Sequence, residues 1–173
     1  MADLPKGYSI QTKNFKKIVI EEKLGEGGQG AVYKVDYAGQ PKAFKWYTGK
    51  KFKTPNKFYE NILNNIKKGK PTKNFLWPED ITEYDGGAFG YIMDLRPPEY
   101  KEFSKFLLAK EGFASVTAMV NAALHITAGF RALHNSRYSY QDLNDGNFFI
   151  NPRNGDVLIC DNDNVSEYGK NSG

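Results

Sequence analysis

The residues best suited to chemistry lie in the last third of the chain. Asp142 and Asn147 stand five residues apart, and Asp161 follows 19 residues after Asp142, beyond a predicted β-hairpin. One carboxylate in such a set can orient an attacking hydroxyl, while the amide oxygen and the second carboxylate supply the hard ligands that Mg²⁺ prefers. The spacing therefore predicts phosphoryl transfer, with a polar surface hairpin as the alternative interpretation.

A second chemical feature is a lysine in an apolar strand. Lys45 lies in the sequence Ala-Phe-Lys-Trp of residues 43–46, where its ammonium would sit near an apolar floor and need a counter-charge. Glu60 is the only acid between residues 36 and 79 and lies in a predicted helix. We expect a Lys45–Glu60 pair that directs the ammonium toward a phosphate, although Glu60 could also be a solvated helix residue.

A third feature is the Gly-Glu-Gly-Gly-Gln-Gly run of residues 25–30, which fits G-x-G-x-x-G. Dinucleotide-binding folds and ordinary tight turns both produce this pattern. Because residues 31–35, Ala-Val-Tyr-Lys-Val, continue as a strand and not as a helix, we expect a loop between antiparallel strands. Backbone N–H groups of such a loop can approach a polyphosphate, but a hairpin loop without a ligand would have the same sequence.

The elements that must position these residues follow from periodicity and turn signals. Residues 1–14 are polar and predict an irregular leader, and residues 17–46 predict a three-stranded antiparallel meander. A helix is predicted from Thr54, a good N-cap followed by proline, to a closing Gly69. Two more strands, 81–84 and 89–93, flank an Asp-Gly-Gly turn. The first domain, residues 15–95, is therefore five strands and one helix.

The remaining residues, 96–173, are predicted to form a second, mainly helical domain after an Arg-Pro-Pro linker. Apolar residues at helical spacing predict helices over 99–110 and 115–133. The apolar runs 148–150 and 157–159 flank an Asn-Gly turn, which predicts a β-hairpin. The fold class expected is α+β.

The composition excludes several classes of protein. Of the 173 residues, 40% are hydrophobic and 25% charged, which is typical of one globular domain, or of one domain and part of another. The single cysteine, Cys160, excludes a disulfide framework, and two distant histidines, His125 and His134, leave little for a metal centre. No apolar run approaches the ~20 residues of a membrane span, and no signal core is present. We expect a cytoplasmic protein with no membrane partner.

The net charge of +4 hides an asymmetry. Residues 1–73 hold 16 lysines and six acids, a net charge of +10, whereas residues 74–173 have a net charge of −6. The lysines are dispersed, and arginine, the usual reader of bases, is absent from the first 73 residues. We therefore expect a solvated lysine-rich surface and no nucleic-acid partner.

Taken in order, these motifs resemble those of the protein kinase family. Residues 24–33 are similar to its glycine-rich loop, and residues 43–45, Ala-Phe-Lys, match its V-A-I-K lysine. Residues 92–95, Ile-Met-Asp-Leu, resemble the strand and hinge that receive adenine. Residues 140–147 stand at the catalytic loop H-R-D-L-x-x-x-N, and residues 160–163, Cys-Asp-Asn-Asp, stand at D-F-G.

The resemblance implies a kinase-like fold, ATP and Mg²⁺ as cofactors, and a Ser/Thr hydroxyl as the default acceptor. The catalytic residues that it implies are Asp142, Lys45, Glu60 and Asn144, and the metal ligands are Asn147 and Asp161. The nucleotide-binding residues that it implies are Gly25, Gly27, Gly28, Gly30, Val32, Ala43, Lys45, Met93, Asp94 and Arg96. Met93 would be the gatekeeper, and Asp94 and Arg96 would contact the base through backbone groups.

Three departures from the family pattern concern phosphate ligands and switches. Tyr140-Gln141 replaces His-Arg, so we expect no activation through a phosphorylated loop held by that arginine. Asn144 replaces the lysine that touches the transferred phosphate. Asn162-Asp163 replaces the Phe-Gly of D-F-G and removes a switching aromatic residue.

These departures keep two other readings open: a pseudokinase or nucleotide-binding scaffold, and a small-molecule kinase of the aminoglycoside or choline type. The chain also stops 12 residues after Asp161, inside the expected activation loop. We therefore expect a truncated or clipped piece of a longer kinase. Helix 115–133 would then expose apolar surface and favour self-association.

Overall fold

The computed structural model describes residues 3–27, 30–48 and 54–169. The chain divides into two compact units. The first contains the residues up to Lys68 together with Pro78–Leu95, and the second contains Gly69–Trp77 and the residues from Arg96 onward. The segment 69–77 thus leaves the first unit and contributes to the second.

Within the described residues, the first unit consists of a six-stranded antiparallel sheet and one long helix. The strands are β1 (Ser9–Gln11), β2 (Lys17–Glu26), β3 (Ala31–Tyr37), β4 (Gln40–Tyr47), β5 (Asp80–Ile81) and β6 (Phe89–Met93), and the helix is α1 (Pro55–Lys68). Their order across the sheet is β1-β2-β3-β4-β6-β5. Every neighbouring pair is antiparallel, which confirms the predicted meander.

Both faces of this sheet bury apolar side chains, and most residues of its central strands β3, β4 and β6 are accordingly apolar. One face buries an aliphatic and aromatic cluster that includes Ile18, Ile20, Tyr33, Val35, Phe44 and Ile92. The opposite face packs Tyr47, Phe89 and Tyr91 of the strands against Phe58, Tyr59 and Ile62 of α1. Helix α1 is therefore fixed to the sheet by its aromatic residues.

The predicted irregular leader, residues 1–14, contains a strand that the sequence did not predict. Ile10, the one apolar residue of β1, packs partly buried against the sheet core. The Thr12 N–H donates to the Lys16 carbonyl (2.9 Å) and closes the turn into β2. A three-residue strand offers too little periodicity for recognition. The sheet consequently has six strands, not the predicted five.

The second unit combines one long helix with short strands. Its elements are β7 (Lys101–Glu102), α2 (Phe103–Leu107), α3 (Val116–Asn135), β8 (Tyr138–Tyr140), β9 (Phe148–Ile150), β10 (Val157–Ile159) and β11 (Val165–Glu167). Strands β10, β9 and β7 form one sheet, and β11 pairs with β8 in another. The predicted hairpin of β9 and β10 is confirmed, with Phe149 opposite Leu158.

The two predicted helices of this unit differ in outcome. Helix 115–133 is confirmed as α3, and the Ser115 hydroxyl caps it by accepting the Ala118 N–H (3.0 Å). The predicted helix 99–110 is wrong in extent, because only Phe103–Leu107 is helical. The two residues before it pair with β9 as strand β7, so tertiary pairing overrides the local helical spacing. No helix in the described ranges is long and apolar enough to cross a membrane.

The core of the second unit brings the segment 69–77 together with α3 and the hairpin. Phe75 and Trp77 join Leu133, Tyr138, Ile150, Val157 and Ile159 in one buried cluster. At the hairpin turn, Gly155 has a φ of +76°, and a Cβ there would lie 1.9 Å from the Ala118 carbonyl oxygen. Only glycine fits this contact, which sets the distance between the hairpin and α3.

Candidate active site

The glycine-rich run joins two antiparallel strands, as the sequence predicted. Gly25 pairs with Val32, and Glu26 pairs with Ala31. The Gly27 N–H donates to the Gly30 carbonyl (2.9 Å), which tightens the loop. Gly28, a predicted nucleotide-binding residue, lies outside the described residues, as does the neighbouring position 29.

The glycines of this loop fall into two groups. A Cβ on Gly30 would lie 2.5 Å from the Trp46 carbonyl oxygen, so packing against β4 requires glycine there. A Cβ on Gly25 would have no neighbour within 4 Å, and one on Gly27 would meet only the Gly30 carbonyl at 4.0 Å. Neither has a positive φ. The fold therefore does not demand glycine at 25 and 27, and their small size leaves room for a ligand near the backbone.

Lys45 lies on the α1 face of the sheet, in a mostly apolar setting. It stands opposite Val32 of β3 and Tyr91 of β6, and only 7% of its surface is exposed. Its Nζ lies 5.6 Å from the centre of the Tyr47 ring. Such burial of an ammonium is costly unless charge or polar groups compensate it. The predicted apolar floor is thus present.

The other nucleotide-binding residues predicted for this unit lie along the same strands. Ala43 stands opposite Met93 across β4 and β6. By strand alternation, the side chains of Val32, Ala43 and Met93 lie on the face that carries Lys45. Asp94 follows β6, and its carboxylate pairs with the Lys42 ammonium (2.5 Å). The register therefore places Val32, Ala43 and Met93 close to Lys45 on one face of the sheet, while Asp94 lies beyond the end of β6.

Glu60 does not occupy the position predicted for a partner of Lys45. Helix α1 turns Phe58, Tyr59 and Ile62 toward the sheet, whereas Glu60 is exposed. At about 100° per residue, Glu60 falls on the opposite side of the helix from this buried stripe. Glu60 therefore points away from the sheet face on which Lys45 lies. The spacing of the apolar residues in the sequence already indicates which side of α1 is buried, and Glu60 is not on that side.

In the second unit, the loop after β8 has its own network of hydrogen bonds. The Asn144 Oδ1 accepts the Gly146 N–H (2.9 Å), and the Asn147 Oδ1 accepts the Asn144 N–H (2.7 Å). These reciprocal bonds form a capping box at a 3₁₀ turn that spans Asp145–Asn147. The Asn144 Nδ2 also donates to the Asp142 carbonyl (3.3 Å). Asn144 therefore shapes the loop, and its contact with a phosphate stays a prediction.

The residue predicted to orient the acceptor hydroxyl, Asp142, and the predicted metal ligands, Asn147 and Asp161, differ in exposure. Asp142 is exposed at the start of the loop, where an acceptor hydroxyl could reach it. Asn147 is only 2% exposed, and Asp161 is half-buried. Asp161 adopts left-handed backbone angles, with φ +54°. Aspartate tolerates this region better than most residues, but at a cost that the surroundings must offset.

Tyr140 and Cys160 tie the two predicted metal ligands together through the backbone. The Cys160 N–H donates to the Asn147 carbonyl (2.8 Å). The Tyr140 hydroxyl donates to the Cys160 carbonyl and to the Asp161 carbonyl (3.0 Å). Burial, followed by the negative charge of Asp161, raises the pKa of Tyr140 far above its usual value, so its hydroxyl stays protonated and keeps donating. Tyr140 thus has a positioning role that the sequence did not reveal.

The residues after Asp161 are buried and polar. The Asn162 Nδ2 donates to the carbonyls of Leu76 (2.7 Å) and Ile159 (2.8 Å), and the residue is 0% exposed. The Gln141 Nε2 donates to the Ser166 hydroxyl (2.6 Å) across the β8–β11 pair. Asn162 therefore stands where the resemblance implies a switching aromatic residue, and Gln141 stands where it implies an arginine. Both use their side-chain amides to donate hydrogen bonds within the second unit.

The donor chemistry of the second unit fits Mg²⁺. Asn147 and Asp161 offer amide and carboxylate oxygens, and Mg²⁺ commonly uses one or two protein ligands together with phosphate oxygens and water. The Asn147 Oδ1 already accepts one N–H bond, but an amide oxygen has a second lone pair. Among the described residues, no group of three or more histidine, cysteine, aspartate or glutamate side chains could hold a metal by itself.

Solved structures resemble this arrangement of elements. The kinase domain of Mycobacterium tuberculosis PknI is 18% identical, with a TM-score of 0.67, over 92% of this chain and 62% of that chain. A double mutant of the same domain is 17% identical, with a TM-score of 0.68, over 92% of this chain and 63% of that chain. Vaccinia related kinase 3 is 16% identical, with a TM-score of 0.66, over 97% of this chain and 54% of that chain.

The chain has a protein-kinase-like fold. It spans between about half and two thirds of the length of these kinase structures. No protein-family model and no curated protein matches it. The kinase-like fold places Lys45 in the first unit and Asp142, Asn147 and Asp161 in the second unit.

Proposed function

We propose that this chain carries the nucleotide and metal machinery of an ATP- and Mg²⁺-dependent phosphotransferase of the protein kinase type, directed at Ser/Thr hydroxyls. The observation that carries the proposal is the joining of Asn147 and Asp161 by Cys160 and Tyr140, directly beside the loop of Asp142. A kinase-like fold supports the same reaction class. We also propose a cytoplasmic location, because the sequence has neither an apolar signal core nor an apolar run long enough to span a membrane.

In this proposal the first unit binds the nucleotide. Lys45 holds the α- and β-phosphates, because a buried ammonium gains most from a charged partner. The loop of Gly25 and Gly27 covers the phosphates with backbone N–H groups. Met93 borders the adenine site, and the backbone of Asp94 contacts the base together with the backbone of Arg96, the residue at which the second unit resumes.

The second unit orients the acceptor and holds the metal. Asp142 accepts a hydrogen bond from the acceptor hydroxyl and aims its oxygen at the terminal phosphate. Asn147 and Asp161 hold Mg²⁺, which neutralises charge on the phosphates when bound. Tyr140 fixes the backbone of Asp161 and so limits the movement of its carboxylate.

A radiolabel transfer assay tests this function. Purified chain is incubated with labelled ATP, Mg²⁺ and either a generic protein substrate or a panel of small hydroxylated acceptors. Asp142→Asn and Asp161→Asn should each lower incorporation by about 10²-fold or more, since each removes a group that acts in the transition state. Asp145→Asn is the matched control, because Asp145 is an exposed carboxylate of the same loop. Equal incorporation in all four proteins would exclude the proposal.

A nucleotide-binding scaffold is the second candidate, and two observations favour it. Glu60 is exposed on the side of α1 that faces away from the sheet, and the Asn147 oxygen already caps its own loop. ATP with Mg²⁺ at 100 times its Kd should add about 2.7 kcal/mol to the stability of a protein that binds it. A thermal shift without phosphate transfer supports the scaffold, and no shift at all counts against both functions.

We also propose that the chain self-associates through α3. Val116, Val120 and Leu124 lie four residues apart on this helix and are 73%, 49% and 59% exposed. This spacing places them on one face, and an apolar stripe of this kind is unusual on a monomer surface.

A further inference from the structure

A cavity of about 300 Å³ lies in the second unit and is lined mainly by cationic and aromatic side chains. Its wall includes Arg96, Lys101 and Lys105, one acid, Glu102, and the aromatic residues Tyr100 and Phe149. Three cations and one carboxylate give the wall a net charge of +2. Lys101 and Lys105 have no part in the proposed phosphotransfer machinery, and Arg96 contributes only its backbone to the proposed adenine site.

Arg96 is held in place without a carboxylate. Its Nη1 donates to the Tyr100 carbonyl (2.7 Å), and its guanidinium carbon lies 4.1 Å from the centre of the Phe149 ring. An arginine has five N–H donors in a fixed fork, so one bond to a carbonyl leaves donors for a bidentate ligand. Stacking on Phe149 reduces the entropy that the side chain would lose on binding such a ligand.

The two lysines also have no acidic partner. The Lys101 Nζ donates to the Pro98 carbonyl (2.9 Å), and Lys105 is exposed on α2. In the described ranges, no ion pair involves Arg96, Lys101 or Lys105. Lys42 offers a contrast, because it pairs with both Glu79 and Asp94. The cavity therefore concentrates positive charge that the fold does not neutralise.

This cavity adjoins the loop of Asp142. Strand β7, which carries Lys101, pairs with β9, and β9 begins directly after Asn147. On the loop side, the Glu102 Oε1 lies 4.0 Å from the position that a Cβ on Gly146 would take. A polypeptide that presented a hydroxyl to Asp142 would therefore have residues within reach of the cavity.

We propose that this cavity recognises an anionic side chain of the acceptor polypeptide, a carboxylate or a phosphorylated residue, near the serine or threonine to be phosphorylated. The inference rests on the proposed function and names its substrate class. A planar guanidinium and two ammonium groups around an apolar ring suit a carboxylate or phosphate on a flexible chain. Basic acceptor sequences would be repelled by the same charges.

Peptide binding tests this inference without any phosphate transfer. Fluorescein-labelled peptides with one central serine carry flanking glutamate, phosphoserine, glutamine or lysine, and their anisotropy is measured with the full 173-residue chain. Glutamate and phosphoserine peptides should bind at least about tenfold more tightly than the lysine peptide, since hydrogen bonds between charged groups are stronger than those between neutral groups. The double variant Lys101→Glu/Lys105→Glu should remove this preference.

The control variant is Lys73→Glu/Lys110→Glu, which makes the same charge change at exposed positions of the second unit outside the cavity. It should retain the preference for anionic peptides. Equal weakening by both double variants would mean attraction by net charge alone and overturn the inference. Equal weakening of ATP and peptide binding by the cavity variant would assign the site to nucleotide phosphates and overturn it too.

Peptide binding and phosphate transfer, measured together, distinguish failure of the cavity proposal from failure of the proposed enzyme function. Selective binding of anionic peptides without phosphate transfer would support the cavity and contradict the enzyme. Transfer to serine with no preference between glutamate and lysine peptides would support the enzyme and contradict the cavity.

Discussion

Asn162 occupies a position where the resemblance leads one to expect an aromatic residue after a metal-binding aspartate. The Nδ2 of this buried amide donates to two backbone carbonyls, whereas its Oδ1 has no hydrogen-bond partner among the described residues. These bonds join the end of β10 to Leu76, on the segment 69–77. The backbone that follows Asp161 is therefore held by directional bonds and not by the packing of a ring.

Replacement of Asn162 tests this role. Asn162→Ala should lower the free energy of unfolding by about 1–3 kcal/mol, because the Leu76 carbonyl loses its hydrogen-bond donor inside the core. Urea titration followed by circular dichroism measures the change. The control Asn64→Ala, at an exposed position of α1, should change stability by less than about 0.5 kcal/mol. Similar small effects of both substitutions would contradict the assigned role.

Individual site residues were predictable from sequence to different degrees. The burial of Lys45 followed from its apolar neighbours, and the structure agrees. The predicted pairing of Glu60 with Lys45 rested on the charge of Glu60 alone. The buried positions of Phe58 and Ile62 show that Glu60 lies on the exposed side of α1. The capping box of Asn144 and Asn147 was missed as well, since short polar side chains form local bonds that composition does not distinguish from ligand contacts.

At the scale of elements, the glycines of the glycine-rich loop differ in role: Gly30 is required for packing, whereas Gly25 is free of packing contacts and can be tested for ligand binding. Gly30→Ala should cost about 1–3 kcal/mol of stability, since its Cβ would clash with a backbone oxygen of Trp46. Gly25→Ala meets no neighbour and should leave the unliganded thermal midpoint unchanged. If the loop covers phosphates, Gly25→Ala should nevertheless reduce the stabilisation by ATP and Mg²⁺. Differential scanning fluorimetry measures both effects, and an undiminished ATP shift in Gly25→Ala would argue against phosphate contact at this position.

Long periodic elements were predictable and short ones were not. Helices α1 and α3 have capping signals and repeated apolar positions in the sequence, and both lie within a few residues of their predicted bounds. Strands β1, β7 and β11 have two or three residues each, and they exist because a neighbouring strand offers hydrogen bonds. Such pairing depends on residues far away in sequence, which a local pattern does not contain.

At the scale of the whole molecule, the half-buried Tyr100 and the buried Tyr138 predict loss of stability at alkaline pH. Burial raises the pKa of Tyr100 to about 12, with a further contribution from its bond to Asp156, and burial also raises the pKa of Tyr138 to about 12. The folded state then keeps protons that the unfolded state releases above pH ~10, so stability is full below pH ~10 and falls between pH ~10 and ~12.

Urea titrations at a series of pH values check this dependence. Tyr138→Phe should flatten the decline of the free energy of unfolding between pH 10 and 12, whereas Tyr168→Phe, at an exposed position, should leave it unchanged. An identical decline in wild type and Tyr138→Phe would show that Tyr138 does not contribute.

The apolar stripe on α3 predicts concentration-dependent association. Val120→Glu/Leu124→Glu should shift the chain toward monomer in sedimentation equilibrium, because charges on the stripe are costly to bury in an interface. Leu107→Glu/Leu108→Glu makes the same apolar-to-charged change at exposed positions away from α3, and as the control it should alter the equilibrium less. A monomeric wild type at every accessible concentration would contradict self-association.

The segment 69–77 also has a consequence for the order of events during synthesis. Its Phe75 and Trp77 belong to a core whose other members come much later, and 83 residues separate Asn74 from its partner Val157. At translation rates of ~5–20 residues/s, this segment waits roughly 4–17 s for its partners. The sheet of the first unit is complete once Met93 has emerged. A nascent chain therefore carries one finished unit and an uncovered aromatic segment at the same time, and a chaperone would encounter the protein in that interval.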